Sequence, residues 1–323
     1  MKVSFIVPLF NCLPLTQAML ASLRATLPAG LAHEIILVDD GSTDGTREWL
    51  TGQGPSVVSL SNPLAGLDPP CRAILNDRNL GFAGACNRGA ADAAGEFLFF
   101  LNSDLILQPG WLEPMLAVFT ARPDAGLVGN VQLNAATGAV DHTGIFFNHQ
   151  GKPAHHTARP LAGRFTGERT VPALTGACCA LTRALWRELG GFDEGFVNGG
   201  EDIDLCLRAS AAGRRHYVAL RSVVRHHISA SPGRKLRDEQ NSYRLMQRWG
   251  AAIAGQIPRA WCWNHLASHW EDPRDFPDPR FAFAAVFYVL RLRQTPPPGA
   301  IAGSRHAVAR ELARWHRMFP TSA

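Results

Sequence analysis

The sequence predicts an α/β fold built on a mostly parallel central sheet. Apolar runs of strand length at residues 3–7, 35–38 and 97–101 lack the alternation of a half-exposed strand, so they fit strands covered on both faces. Helix-like segments at 15–26, 46–50 and 82–93 separate these runs, the order that produces parallel pairing with helices on both sides. Polar, turn-forming residues follow each run at the same end.

Met1-Lys2 followed by residues 3–9 superficially resembles a leader segment, but Pro8 and Asn11 interrupt it and no small-residue cleavage site follows. It reads as a first buried strand. Ser42, Thr43 and Asp44 are capping types at the entry to the 46–50 helix. Residues 52–70, with several Gly, Pro and Ser, read as a long surface loop holding a short strand at 57–61. A helix at 111–121 and a strand at 127–131 lead into a Gly/His-rich stretch, 134–167. Regular structure resumes at 177–189 and in a helix at 202–212, and a strand ends at 222–225. Beyond residue 231 the chain becomes rich in Arg and Trp and is broken by Pro273, Pro277, Pro279 and Pro296 to Pro298. The expected organisation is therefore an α/β domain over 1–231 and a mainly helical C-terminal extension over 232–323.

The 323 residues, 46% of them apolar, can bury a sizeable core, and no repeat or low-complexity tract points to a solenoid or a disordered scaffold. The net charge of +5 is uneven: ten Lys/Arg and only two acids, Asp238 and Glu239, lie between Arg208 and Arg248. Such a stretch suits phosphates, an anionic membrane or a solvated helix face. Nucleic acid would explain this segment alone and nothing else in the chain. Seven cysteines without paired metal-type spacing read as buried reduced thiols of a cytoplasmic protein. The apolar run 281–290, between Arg280 and Arg291, is too short to span a bilayer but suits lying in its interface. Location is therefore expected in the cytoplasm, peripheral at the inner membrane face.

Ligands of open parallel sheets bind at the carboxyl ends of the strands. There the chain carries Pro8-Leu9-Phe10-Asn11, then Asp39 to Asp44, then Asn102-Ser103-Asp104. Any one of these is as readily a capped turn, but three converging ends favour a ligand. Asn79 to Gly89 opens a helix with small residues that let a backbone or an anion approach, Gly84 and Asn87 among them. It lacks the glycine spacing of a dinucleotide fingerprint, and no phosphate-binding P-loop is present. Glu201 and Asp202 follow Gly199-Gly200 at a helix start, where helix capping is the plain alternative to a site carboxylate on a closing loop. His226-His227 stand at a strand end.

These segments, in this order, resemble the second family of glycosyltransferases, which has the GT-A fold, and most closely its bacterial rhamnosyltransferase-like members. The matching motifs are 3–11, 38–44, 79–89, 101–104, 190–194, 201–208 and 224–231, so the resemblance spans residues 3–231, some two thirds of the chain. The resemblance implies Pro8, Phe10 and Asp40 around the nucleotide base, with Asp39 close by. It extends donor binding to Asn79, Gly84, Asn87, Asn102 and Ser103. Asp104 would hold Mg²⁺ or Mn²⁺ against the donor diphosphate, with His226 a further ligand. Asp202 would be the general base and Glu201 its support. Asn102 stands where many relatives carry an acid, which leaves less negative charge for a cation. The implied reaction is transfer, with inversion, of a sugar from a UDP- or dTDP-sugar to a glycan or polyprenyl-linked acceptor in cell-surface polysaccharide synthesis. The alternatives are a binding module without turnover, or a nucleotidyltransferase, whose usual Gly-rich basic loop after the first strand is absent.

Overall fold

The structure, a computed structural model, describes residues 2–52, 71–158, 167–227, 237–271 and 278–319, without the side chains of 269–271. The strand expected at 57–61, Pro273, Pro277 and the end of the 224–231 motif lie outside these residues. The first strand, β1 (Lys2–Leu9), is buried from Val3 to Val7. Pro14 sits in the first turn of α1 (Leu13–Thr26), where its missing N–H costs nothing. Then come β2 (Ala32–Asp39), α2 (Thr46–Thr51), β3 (Cys71–Leu75), α3 (Gly81–Ala91), β4 (Phe97–Leu101), β5 (Leu105–Leu107) and α4 (Leu112–Ala121). The chain continues through β6 (Ala125–Asn134), β7 (Val140–His142), β8 (Ile145–Phe147), β9 (Pro153–His155), β10 (Glu168–Val171) and β11 (Cys178–Thr182). Thr182 caps α5 (Arg183–Leu189), its hydroxyl accepting from the Leu185 amide at 3.2 Å. After α6 (Glu201–Ala211) and β12 (Arg215–His226), the described residues continue through α7 (Asp238–Gln256), α8 (Pro258–Glu271), α9 (Pro279–Val289) and α10 (Ala300–Met318).

The main sheet runs β10-β12-β6-β11-β4-β1-β2-β3, with β5 on β12 and β7 on β6. β1, β2, β3, β4, β6 and β12 point one way, and β11 runs against its neighbours β4 and β6. The mostly parallel sheet expected from the sequence is present. One face packs Phe5, Phe99 and Trp111 with residues of α1 and α4. On the other, Phe100, Trp186 and Phe192 pack in tilted and edge-to-face pairs with ring centroids 4.7–5.3 Å apart. Gly89 lets α3 approach the sheet: a Cβ there would lie 2.7 Å from Ile6 Cγ2 and 2.9 Å from Val38 Cγ2.

The chain divides into two compact units, Met1–Ile145 with His155–Lys235, and Phe146–Ala154 with Leu236–Ala323. In the second, Cys262, Ala285, Tyr288 and Ala300 form a small core, and Lys152 reaches Glu311 at 3.3 Å. The basic stretch 208–248 is not one face. Arg208 is engaged by Asp204 at 2.7 Å and by the Leu189 and Gly191 carbonyls, and Arg215 lies beside Asp124. Arg234 and Lys235 fall outside the described residues. Six of the seven cysteines are buried and all are free; burial pushes the Cys178 thiol up to about 12.

Candidate active site

After β1 the chain builds outward to β2 and β3, then returns to lay β4 on the other side of β1. The order of strands therefore reverses between β1 and β4, and at such a reversal two loops part to leave a crevice. A cavity of about 310 Å³ opens there. Pro8, Phe10, Asp40, Asn79, Asn102 to Asp104, Glu201 and Asp202 all line it.

Asp40 follows β2 and is held from three directions. Oδ1 accepts from Asn76 Nδ2 and from the Leu80 amide, both at 2.8 Å, and Oδ2 accepts from the Gly81 amide at 2.9 Å. Burial raises its pKa; these donors pull the other way, and the nearby Asp39 adds to the rise. Asp39 is fully buried and stands behind the cavity. Its Oδ1 accepts from the Ser42 amide at 3.2 Å, and Arg47 Nε lies 3.4 Å from Oδ2, misaligned for a hydrogen bond. It anchors the turn from β2 into α2.

Beyond β4, Asp104 Oδ1 lies 3.1 Å from His226 Nε2 at the end of β12. Both atoms are buried, and their alignment leaves them without a hydrogen bond. β5 pairs with β12 so that Leu105 is opposite His226, which fixes this meeting. A carboxylate oxygen and an imidazole nitrogen, both unsatisfied and side by side, fit a divalent cation that takes its remaining ligands from a diphosphate and water.

On the opposite wall, Asp202 Oδ2 accepts from the Gly176 amide and Oδ1 from the Ile203 amide, both at 2.8 Å. Glu201 is buried, and its Oε2 accepts from the Gly199 amide at 2.7 Å. The helix α6 starts from Gly200 at φ 94°, a conformation that only glycine adopts cheaply, and no side chain caps it. Asp202 thus reaches residue 176 with one oxygen and meets the first turn of its own helix with the other.

Besides Asp39, two more of the expected donor residues stand outside the cavity lining. Asn87 spans the backbone of Phe192, donating to its carbonyl and accepting from its amide, and also donates to Glu194. A Cβ on Gly84 would meet Leu80 Cβ at 2.7 Å, so Gly84 serves packing within α3. Neither lines the cavity. Conversely, Asn76, Thr175, Gly176 and Asn198 are part of this region and were not singled out from the sequence. Asn198, at φ 53°, accepts from the Phe82 amide at 3.2 Å and so ties the loop before α6 to the start of α3. The one signal for Asn76 was its place after a short apolar strand, and β3 itself is too exposed to read clearly.

A family model described as "Glycosyl transferase family 2" matches residues 4–190. The chain is 31% identical over 239 residues to an O-antigen biosynthesis protein, RfbC, of Myxococcus xanthus; this covers 71% of the chain but only 18% of that protein. It is 26% identical over 245 residues to an N-acetylglucosaminyl-diphospho-decaprenol L-rhamnosyltransferase of Mycobacterium tuberculosis, covering 68% of the chain and 74% of the relative. Among solved structures, GalNAc-T7 with UDP, GalNAc and Mn²⁺ superposes with a TM-score of 0.62 at 18% identity, over 82% of this chain and 51% of that one.

Proposed function

The chain belongs to glycosyl transferase family 2 and has the GT-A fold, and from that premise we propose that it transfers a sugar from a UDP- or dTDP-sugar to a glycan or polyprenyl-linked acceptor, with inversion. The observation that carries this reading is the convergence of Asp40, Asp104 and Asp202 on one cavity at the β1–β4 reversal. The proposed setting is cell-surface polysaccharide synthesis, by likeness to the O-antigen protein and the rhamnosyltransferase. Peripheral contact with the inner face of the cytoplasmic membrane belongs to the same proposal.

Pro8, Phe10 and Asp40 are assigned to the base, which would lie against the exposed Phe10 ring with an N–H directed at Asp40. Asp39 shapes the turn beneath it. Asn102 and Ser103 are assigned to the ribose and first phosphate, and Asn79 to the rim. Asp104 and His226 would hold Mg²⁺ or Mn²⁺, which when bound offsets the charge that develops on the leaving nucleoside diphosphate. Asp202 accepts the acceptor's hydroxyl proton as that oxygen bonds to the anomeric carbon and the carbon–phosphate oxygen bond breaks. General-base assistance of this kind is worth roughly 10²–10⁴-fold. The Gly176 and Ile203 amides hold both Asp202 oxygens in place for this task, and Glu201 keeps the preceding loop in register.

Incubation with a panel of nucleotide sugars and Mn²⁺ tests the proposal. Release of nucleoside diphosphate supports it. Release of pyrophosphate from a nucleoside triphosphate and a sugar phosphate would point instead to a nucleotidyltransferase, and binding without turnover to a recognition module.

A further inference from the structure

Helix α9 has two unlike long faces. Ala285 and Tyr288 are buried against the second unit's core, with Arg259 lying over the Tyr288 ring at 4.5 Å. At 100° per residue, Phe283, Val286, Phe287 and Leu290 fall together in an arc of roughly 100° on another side. All four are exposed: Phe283 71%, Val286 41%, Phe287 42% and Leu290 62%. The Phe283 and Phe287 rings stack at 5.4 Å, and Leu292, just beyond the helix, is 69% exposed. Large apolar side chains rarely stay in water as a contiguous row without a partner. Arg280 stands at the start of the row, and Arg291 and Arg293 at its end.

We infer that this face of α9 lies on an anionic lipid surface, with the aromatic and aliphatic side chains below the headgroups and the three arginines among them. This sharpens the membrane-contact part of the proposal above; the transfer chemistry is read separately in its test. The helix is 11 residues, about 16 Å long at 1.5 Å per residue, against a hydrocarbon thickness of roughly 30 Å, so it lies in the interface and does not cross it. Charge points to an anionic lipid: Arg280 stands at one end of the row and Arg291 and Arg293 at the other, where anionic headgroups complement them. Asp278 is taken up in capping the helix, accepting from the Arg280 amide at 3.0 Å. A second copy of the chain on the same row is separated by the oligomeric state in solution.

Flotation of the full chain decides the matter, using vesicles of phosphatidylglycerol and phosphatidylcholine in equal parts and vesicles of phosphatidylcholine alone. Wild type should float with the anionic vesicles, lose this at high salt, and float poorly with phosphatidylcholine. Phe283→Asp with Leu290→Asp should weaken anionic-vesicle binding by about tenfold or more. Arg280→Glu should weaken it less and leave the apolar row intact. Nucleoside diphosphate release from a water-soluble donor should be unchanged in all three proteins, so loss of flotation and loss of transfer are separately visible. Wild type that stays in the dense fraction overturns the inference, as does equal flotation by the Phe283→Asp/Leu290→Asp protein. So does a dimer by light scattering that the same pair of substitutions converts to a monomer, because α9 would then be covered by its own copy.

Discussion

The Gly176 amide donates to Asp202 Oδ2 at 2.8 Å, joining the segment before β11 to the start of α6 across 26 residues of sequence. The contact exists because β11 runs against β4, with Cys178 opposite Leu101. Its entry, rather than its exit, therefore meets the carboxyl ends of the parallel strands. Ala177 accepts from the Asn102 amide at 2.8 Å at the same edge, so one short segment braces both walls of the cavity.

Asp202→Asn removes the proposed proton acceptor while keeping the side chain's size. Less than about a tenth of wild-type kcat should remain, a barrier increase above ~1.4 kcal/mol. An asparagine oxygen can face one of the two amides, but its NH₂ must then face the other, so a stability loss of about 1–3 kcal/mol is expected as well. Glu201→Gln should do less harm to kcat. Measured kcat, donor affinity and melting temperature separate the effects; a kcat near wild type in Asp202→Asn removes it as the base.

Asp104→Ala and His226→Ala should each weaken nucleoside diphosphate binding in the presence of Mn²⁺, and change metal-free binding little. Titration calorimetry with and without Mn²⁺ reads this directly. Equal affinities in wild type and variants under both conditions would detach the pair from the metal.

Asp40→Ala strands three N–H donors that the native carboxylate satisfies. Both fold and donor binding should suffer, the fold by about 1–3 kcal/mol and the donor KM by a comparable free energy. Asp40→Asn, which keeps one acceptor, should fall between. A KM that rises with no change in melting temperature would mean that these internal contacts do not stabilise the fold.

Acid should weaken the second unit through two carboxyls. Trp315 and Arg314 hold Glu239 below its ordinary value. Burial pushes Glu311 up, yet Arg314 and Lys152 outweigh it, so Glu311 is lowered too. A carboxyl depressed in the folded state contributes stability above its unfolded value, about 4.3, that is lost as pH falls through the folded value. Melting temperature should therefore drop on acidification below roughly that value, and Glu239→Gln with Glu311→Gln should flatten the drop. An acid limb unaltered by the two substitutions would assign it to other groups.

Gly89→Ala sets two opposed effects against each other. Alanine favours the helix by up to about 1 kcal/mol, whereas its Cβ would press on Ile6 and Val38, an overpacking cost of typically about 1–3 kcal/mol. The variant should melt lower than wild type. A higher melting temperature would mean that α3 can move off the sheet cheaply.

Local patterning determined much of this protein. The apolar runs at 3–7, 35–38 and 97–101 became β1, β2 and β4, because a strand covered on both faces writes its burial into consecutive residues. The polar residues after those runs had to gather at one edge once the strands were parallel, so Asp40, Asn102 and Asp104 were legible as neighbours before any coordinates. The exposed row on α9 was legible as an apolar run between arginines, but not as exposed. Burial of a helix face depends on what packs beside it, here the Cys262–Tyr288 core on one side only. Asn87 illustrates the opposite limit: its motif pointed to the donor, while its amide was taken up by Phe192 and Glu194, residues more than a hundred positions away. Gly176 carried no sequence signal, since a backbone N–H is common to nearly every residue, and Asn76 carried only its place after a short strand, since a lone asparagine fits any turn. Sequence could state which residues follow buried strands. Only the antiparallel insertion of β11, a pairing of segments far apart in the chain, decided which backbone groups would face Asp202.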